Sequence, residues 1–363
     1  MASPIISIQV PSNRPEKILL FLDQLEKTAA DHQSFEVIVN LDEDDTTMDK
    51  ILDAEKIKRP FVLKYIKTFT GGFYNSWKPI NDMLAFTDPS AYFVTFLSDE
   101  FLFVTPGWDN ILKSYIGYYP DNIFRLRASQ YRYRNYVDFW ECGFAPDSIT
   151  FYTKKWVDIN KDWAPCFSSD SFQQFVAFYL AQYDSFSKEQ DNRDIPIPHI
   201  QFSGEGASIG LEGEKAEARV RGGLTAWLNL ISYPMQLDAA RRAMLLKAHI
   251  IAKRHHINFK IVDNKKEKNI QLIDRSKNII HANFSYKLSR IKINAIKLSR
   301  KFYHLYYTGG GNESKKITNF NLLRFNMTYY LSTRYRSLKN LHHRCNEIEY
   351  AIKQYFSRFK ETS

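Results

Sequence analysis

The 363-residue chain is 44% hydrophobic and 25% charged, the balance of a folded globular protein rather than of a disordered or fibrous one. Its three cysteines, Cys142, Cys166 and Cys345, form no C-x-x-C pair, so neither a disulfide framework nor a zinc knuckle is expected, and a reducing cytoplasm is the simplest location. No basic, apolar leader precedes the first strand pattern, and no segment approaches the roughly 18 uninterrupted apolar residues of a spanning helix.

The net charge of +10 is unevenly spread. Residues 241–363 hold 27 Lys and Arg against 7 Asp and Glu, whereas the preceding part holds 23 against 33. All six tryptophans lie before residue 240. Composition therefore divides the chain into residues 1–235 and a basic, mainly helical region, residues 236–363.

In chain order, residues 5–10 alternate as a strand that Pro11-Ser12-Asn13 closes. Pro15 opens a helix with Ile18, Leu19, Leu22 and Leu25 on one face and Glu16 in its first turn. Residues 35–41 form a second strand, ending in Asp42-Glu43-Asp44-Asp45. Residues 48–57 suit a short helix and 61–66 a third strand. Gly71-Gly72 interrupts the pattern before an amphipathic helix over 76–86. The almost wholly apolar residues 92–97 read as a strand central in a parallel sheet.

Short strands are expected at 123–128 and 149–152, and a helix at 170–182 with Phe172, Phe175, Val176 and Tyr179 on one face. Residues 184–223 are polar and rich in glycine, a mobile loop with ordered pieces at 195–202 and 225–230. A helix at 237–255 is followed by strand-like runs at 257–262 and 270–274. Two basic helices, at 285–306 and 317–358, complete the pattern.

Alternating strands and helices with right-handed crossovers give an α/β fold, a doubly wound and mostly parallel sheet. Ligands bind such sheets beyond the carboxyl ends of the strands. Three strand ends here carry the segments richest in chemistry: residues 11–14, 42–45 and 98–100. Asp99 and Glu100 at the end of a hydrophobic strand must face solvent or a cation, and oxygen ligands suit Mg2+ or Mn2+, which can bridge a diphosphate. The same dipeptide would also suit an exposed acidic turn. Lys78, Arg219 and Arg221 can neutralise diphosphate charge, the two arginines from a loop that could close, and a solvated basic loop would look the same. Trp108 and Trp140 can stack on sugar faces or fill a core.

Taken in order, Pro11-Ser12-Asn13-Arg14-Pro15, Asn40-Leu41-Asp42-Glu43-Asp44-Asp45, Gly71-Gly72-Phe73-Tyr74 and the stretch 92–109 with Ser98-Asp99-Glu100 and Thr105-Pro106-Gly107-Trp108-Asp109 resemble family-2-like glycosyltransferases with the type A fold. The resemblance covers about residues 3–230. It implies that Asp42 accepts the N3–H of a uracil-like base while Pro11, Ser12 and Arg14 wall the base and ribose, with Gly72 and Ser98 near the nucleotide. Asp99 becomes the metal or ribose carboxylate and Glu100 its partner, where the family more often has two aspartates. His199 is implied as a further ligand to the metal or diphosphate, although a surface loop would also hold it. Asp170 is implied as the general base, and a plain helix cap would equally place an aspartate there.

The expectation is an enzyme that moves a sugar from a nucleotide diphosphate sugar, UDP-linked, to a glycan or lipid-linked acceptor by metal-assisted inversion, with Mn2+ or Mg2+ as cofactor. Residues 241–363 mix Lys and Arg with Tyr, Phe, Ile and Leu, which suits an anionic membrane surface on its cytoplasmic side or a helical appendage that docks or self-associates. Nucleic acid is not the expected partner. A nucleotidyltransferase and a non-catalytic binding module of the same fold are the rivals; the former normally needs a glycine-rich loop after its first strand, and residues 11–15 contain no glycine.

Overall fold

A computed structural model describes residues 4–69, 77–131, 149–166, 169–184, 193–203, 230 and 232–288. The chain divides into compact units 1–287 and 288–363, and every element below lies in the first. Gly71-Gly72, Trp140, Arg219, Arg221, the piece expected at 225–229 and the basic helices from residue 289 onward lie outside the described residues.

Strand β1 (Ile6–Pro11) leads through helix α1 (Pro15–Thr28) to β2 (Phe35–Asp42), then through α2 (Thr47–Lys58) to β3 (Val62–Thr68). Helix α3 (Trp77–Asp82) and the 3-10 turn Met83–Phe86 that follows it precede β4 (Phe93–Phe96). Further on come β5 (Leu102–Phe103), α4 (Trp108–Lys113), β6 (Arg125–Tyr131), β7 (Thr150–Thr153), α5 (Lys154–Asn160), α6 (Ser169–Asp184) and β8 (Asp194–Ser203). These eight strands form one sheet in the order β3-β2-β1-β4-β7-β6-β8-β5. The four strands β3-β2-β1-β4 are parallel, whereas β7 and β5 run antiparallel to their neighbours. The expected α/β sheet is present, with its parallel character concentrated in the first half of the chain.

The chain moves from β1 outward to β3 and then returns across β2 and β1 to β4. With crossover handedness constant, that reversal puts the connecting segments on opposite faces. Side-chain alternation along β1 shows both. Ile6, Ile8 and Val10 pack with Ile18, Phe21, Leu22 and Leu25 of α1 and with Met48 and Leu52 of α2. Each of these side chains contributes roughly 1.5–3 kcal/mol by leaving water. On the other face the buried Gln9 donates to Thr87 Oγ1 at 3.0 Å and accepts from Trp163 Nε1 at 2.9 Å. Asn81 of α3 holds the same segment, accepting from the Trp163 amide at 2.8 Å and donating to the Ala164 carbonyl at 2.8 Å.

The stretch 105–109 serves the fold. Gly107 adopts φ +69, a left-handed conformation suited to glycine, and its amide donates to the Thr28 carbonyl at the end of α1 at 2.7 Å. The Asp109 carboxylate is wholly buried and accepts from the amides of Ala30 at 2.8 Å and Asp31 at 3.1 Å and from Ser34 Oγ at 3.1 Å. It therefore pins the turn that carries the chain from α1 into β2. Trp108 packs its ring 4.3 Å from Phe103 and 5.3 Å from Phe35, centroid to centroid, with no exposed surface. This corrects the expectation that Trp108 stacks on a sugar: no face of its ring is open.

Helix α7 (Tyr233–Arg254) crosses the point where composition changes and carries ten buried residues, among them Ala239, Ala240, Ala243, Met244 and Leu246. Arg242 is buried, bonded through Nη1 to Asp162 Oδ1 at 2.6 Å and through Nε to Asp238 Oδ2 at 2.8 Å. Arg241 pairs with Asp238 and Asp263. Beyond the helix, β9 (Phe259–Asn264), β10 (Asn269–Asp274) and β11 (Ile279–Ser285) form an antiparallel sheet. The third strand had no counterpart in the sequence pattern, and Ser285, expected to open a helix, closes it. No helix among the described residues is long and apolar enough to cross a membrane.

Two predictions follow the packing. Asp109→Ala leaves three donors around an empty site and should cost about 2–3 kcal/mol, read by urea unfolding; an unchanged midpoint would show that the turn after α1 does not depend on this carboxylate. Asp194 joins Arg125 at 2.9 Å and Arg127 at 2.7 Å across β6 and β8. Burial alone would raise its pKa, but the charges of and hydrogen bonds from Arg125 and Arg127 outweigh that and hold it below the usual carboxylate range. The group's contribution is therefore complete above the unfolded pKa of about 4 and is lost as pH falls through the lower folded value. Asp194→Asn, which removes the negative charge that faces Arg125 and Arg127, should cost on the order of 3–5 kcal/mol at pH 7. The gap to wild type should shrink toward pH 2; a gap independent of pH would refute the assignment.

Candidate functional site

The carboxyl ends of β2, β1 and β4 are adjacent because those strands are neighbours. Pro11 is level with Asn40 across the β1–β2 pair, and the Ser12 amide donates to the Asn40 carbonyl at 3.0 Å. On the other side Gln9 is level with Phe96, and the Leu97 amide donates to the Gln9 carbonyl at 2.9 Å. Three residues further along each strand, Ser12 Oγ donates to Asp99 Oδ2 at 2.6 Å. The chain reverses its winding between β1 and β4, so this bond spans the switch point at which an open α/β sheet leaves a crevice.

Arg14 binds both carboxylates there. Its Nη2 donates to Asp99 Oδ1 and its Nε to Asp99 Oδ2 at 3.3 Å, while Nη1 donates to Glu100 Oε1 at 2.6 Å. Side-chain exposure falls from 38% for Arg14 to 11% for Glu100 and 2% for Asp99, so the guanidinium covers the pair on its solvent side. Burial alone would lower the Arg14 pKa, but the hydrogen bonds to Asp99 and Glu100 and their charges outweigh it and raise it above the ordinary value. Ser98 Oγ stands 3.4 Å from both Asp99 Oδ1 and the Glu100 amide. Glu100 Oε2 is buried and has no hydrogen-bond partner among the described residues.

That orphan oxygen is the test of whether the residues suit a divalent cation. A buried carboxylate oxygen with nothing donating to it is costly, and Mg2+-like ions are commonly held by one or two carboxylates with phosphate oxygens and water completing the shell. Asp99 and Glu100 fit that role. The expected third ligand does not join them: among the described residues no three His, Cys, Asp or Glu side chains converge as a metal site. His199 lies on β8 with its side chain exposed, and its carbonyl accepts from Thr105 Oγ1 at 3.0 Å. The Asp99, Glu100 and His199 set is thereby reduced to its two carboxylates.

Asp42 closes β2 level with Thr68 of β3, one strand away from Ser12, and its carbonyl accepts from the Asp45 amide at 3.0 Å. Asp45 Oδ1 accepts from the amides of Thr47 at 3.0 Å and Met48 at 2.9 Å, so it serves the start of α2. Lys78 is exposed on α3, its ammonium 5.7 Å from the Trp77 ring centroid. Asp170 lies in the first turn of α6, where its carboxylate accepts from the Ser171 amide at 2.7 Å. It is near enough to Cys166 for its charge to act on that thiol, along with Arg242 and Asp238. Gly72, Trp140, Arg219 and Arg221 lie outside the described residues.

Sequence reasoning named Ser12, Arg14, Asp99 and Glu100 separately and set Arg14 against the base and ribose. The structure gathers all four, with the guanidinium on the carboxylates. A signal for that pairing was present: a buried strand ending in two acids needs a cation, and Arg14 is the basic residue at the neighbouring strand end.

No protein-family model matches the chain, and no curated protein does. Among solved structures it is similar to S. aureus TarS 1-349 in complex with UDP-GlcNAc, at 15% identity over 90% of this chain and 81% of that one, with a TM-score of 0.45. It is also similar to the mannosyltransferase PcManGT from Pyrobaculum calidifontis in complex with GDP-Man and Mn2+, at 12% identity over 92% of this chain and 88% of that one, with a TM-score of 0.47.

Ser12→Ala should remove about 1 kcal/mol of stability by leaving Asp99 Oδ2 with the longer Arg14 bond alone. Urea denaturation measures it, and a variant as stable as wild type would show that the hydroxyl does not hold the crevice together.

Proposed function

We propose that the chain is a glycosyltransferase that moves a sugar from a nucleotide diphosphate sugar, UDP-linked, to an acceptor hydroxyl. The observation that carries this reading is the meeting of Ser12, Arg14, Asp99 and Glu100 at the β1–β4 switch point, with Asp42 at the next strand end. A crevice with a carboxylate residue at one strand end and a pair of carboxylates two strands over suits a ligand with a ring at one end and, through a cation, phosphates at the other.

In this reading Asp42 accepts from the base, and Pro11 and Ser12 flank the nucleoside. Asp99 and Glu100 would hold Mn2+ or Mg2+, which would supply positive charge to the diphosphate. Asp170 takes the proton of the acceptor hydroxyl as its oxygen bonds to the anomeric carbon and the bond from that carbon to the diphosphate oxygen breaks. Displacement from the opposite face inverts that carbon. Lys78, Arg219 and Arg221 supply positive charge to the departing diphosphate. The acceptor is a glycan or lipid-linked sugar, and residues 241–363, with 27 Lys and Arg against 7 Asp and Glu, would hold the chain to an anionic membrane surface.

The direct experiment is a calorimetric screen of UDP-linked and GDP-linked sugars with and without Mn2+, followed by assays of hydrolysis and transfer. Wild type should bind at least one nucleotide sugar more tightly with metal. Asp99→Ala should abolish turnover, and Asp170→Asn should reduce it by about a hundredfold or more while leaving nucleotide affinity within about twofold. Absence of nucleotide-sugar binding at millimolar concentration with metal present would overturn the reading.

A further inference from the structure

Arg14 combines a fixed backbone with a side chain that can leave. Its carbonyl accepts from the amides of Lys17 and Ile18, each at 3.1 Å, and its amide donates to Ser12 Oγ at 3.3 Å. The side chain is more than one third exposed, whereas the two carboxylates beneath it are nearly closed off. The guanidinium bonds to every oxygen of the pair except Glu100 Oε2, which is buried and has no hydrogen-bond partner among the described residues.

Charge makes that arrangement a contest. Asp99, Glu100 and Arg14 together carry a net −1, so a diphosphate arriving alone would meet repulsion. A divalent ion brings twice the charge of the guanidinium in a smaller volume, and can use the oxygen that Arg14 leaves unserved. Asp99 Oδ2 accepts from both Arg14 and Ser12, and Oδ1 from both Arg14 and Ser98, so an ion that binds Asp99 competes with the guanidinium for lone pairs that are already taken. Once displaced, Arg14 remains tethered at the mouth of the same crevice, and its planar fork matches phosphate oxygens.

We propose that Arg14 is an internal cation that a divalent metal ion replaces: it pairs with Asp99 and Glu100 and offsets part of their charge when no metal is bound, and metal binding to those carboxylates releases it onto the nucleotide's diphosphate. The second half rests on the nucleotide-sugar reading above; the displacement itself does not. In this scheme Arg14 opposes metal binding in the free protein and supports nucleotide binding in the metal-loaded one.

Those opposite signs are the test. Mn2+ binding to the full chain would be followed by the paramagnetic signal of free Mn2+, with Asp99→Asn/Glu100→Gln giving the background from other sites. UDP binding at saturating Mn2+ would be followed by calorimetry. Arg14→Gln should bind Mn2+ about tenfold more tightly and UDP about tenfold more weakly than wild type. Arg14→Lys, which keeps the charge without the fork, should fall between them and guards against misfolding of the glutamine variant. Damage to the site would weaken both ligands together. Unchanged or weaker Mn2+ binding by Arg14→Gln would overturn the displacement, and tighter Mn2+ with unchanged UDP would overturn the release onto the diphosphate. If wild type bound no UDP in Mn2+, the nucleotide reading and the release would both fall, while the Mn2+ comparison would still judge the displacement.

Discussion

Two carboxylates sit at the carboxyl end of β4 with almost no access to water, and a single guanidinium holds them. An ionised carboxylate taken out of water is tolerated only with a cation and hydrogen bonds around it. Asp99 has Ser12 and Arg14 for that purpose, and both come from the end of β1. The strand pair is therefore joined twice, by its backbone ladder and by a charged clasp across the crevice. Whatever binds there must deal with that clasp first.

The clasp depends on elements far from it in sequence. β1 is held level with β4 by a register running from Ile6 against Phe93 to Gln9 against Phe96, and that register sets Ser12 opposite Asp99. The α1 helix that follows Arg14 is fixed at its far end by Gly107 and Asp109, whose bonds reach the Thr28 carbonyl and the amides of Ala30 and Asp31. Under the sheet, Trp108 fills the space between Phe35 and Phe103. The residues just past Glu100 thus anchor the helix that begins at Arg14, so the two sides of the crevice share a support.

Much of this was legible in the sequence because fully buried strands must be apolar throughout and helices between them must be amphipathic. The strands at 6–11, 35–42 and 93–96 and the helix from Pro15 were recognisable within one to two residues. The very short β5, α4 and α5 were not, since two to seven residues carry too little periodicity. Nor was the antiparallel place of β7 beside β4, which depends on long-range pairing. The candidate site was legible as a set of strand ends but not as a set of contacts. Asp99 and Asp109 look alike in sequence, each an acid beside an aromatic-rich stretch. One closes on a guanidinium at a crevice and the other on backbone amides in the core. The choice for Trp108 between a sugar face and the core stayed open for the same reason: an aromatic ring reads identically whether its faces meet a sugar or two phenylalanines.

The same lesson applies to the charge division near residue 240. A count of basic residues suggests a free positive surface, yet helix α7 spends two arginines internally. Arg242 is buried against Asp162 and Asp238, and Arg241 bridges Asp238 to Asp263 on β9. These pairs tie α7 to the segment after α5 and to the small antiparallel sheet, so they act as connectors within the first compact unit. The positive charge available to an anionic partner must therefore come from the basic residues that remain, and a stretch's net charge overstates its electrostatic reach by the arginines it has already committed. Arg14 follows that rule at the crevice, where its positive charge is committed to Asp99 and Glu100 until a stronger cation takes its place.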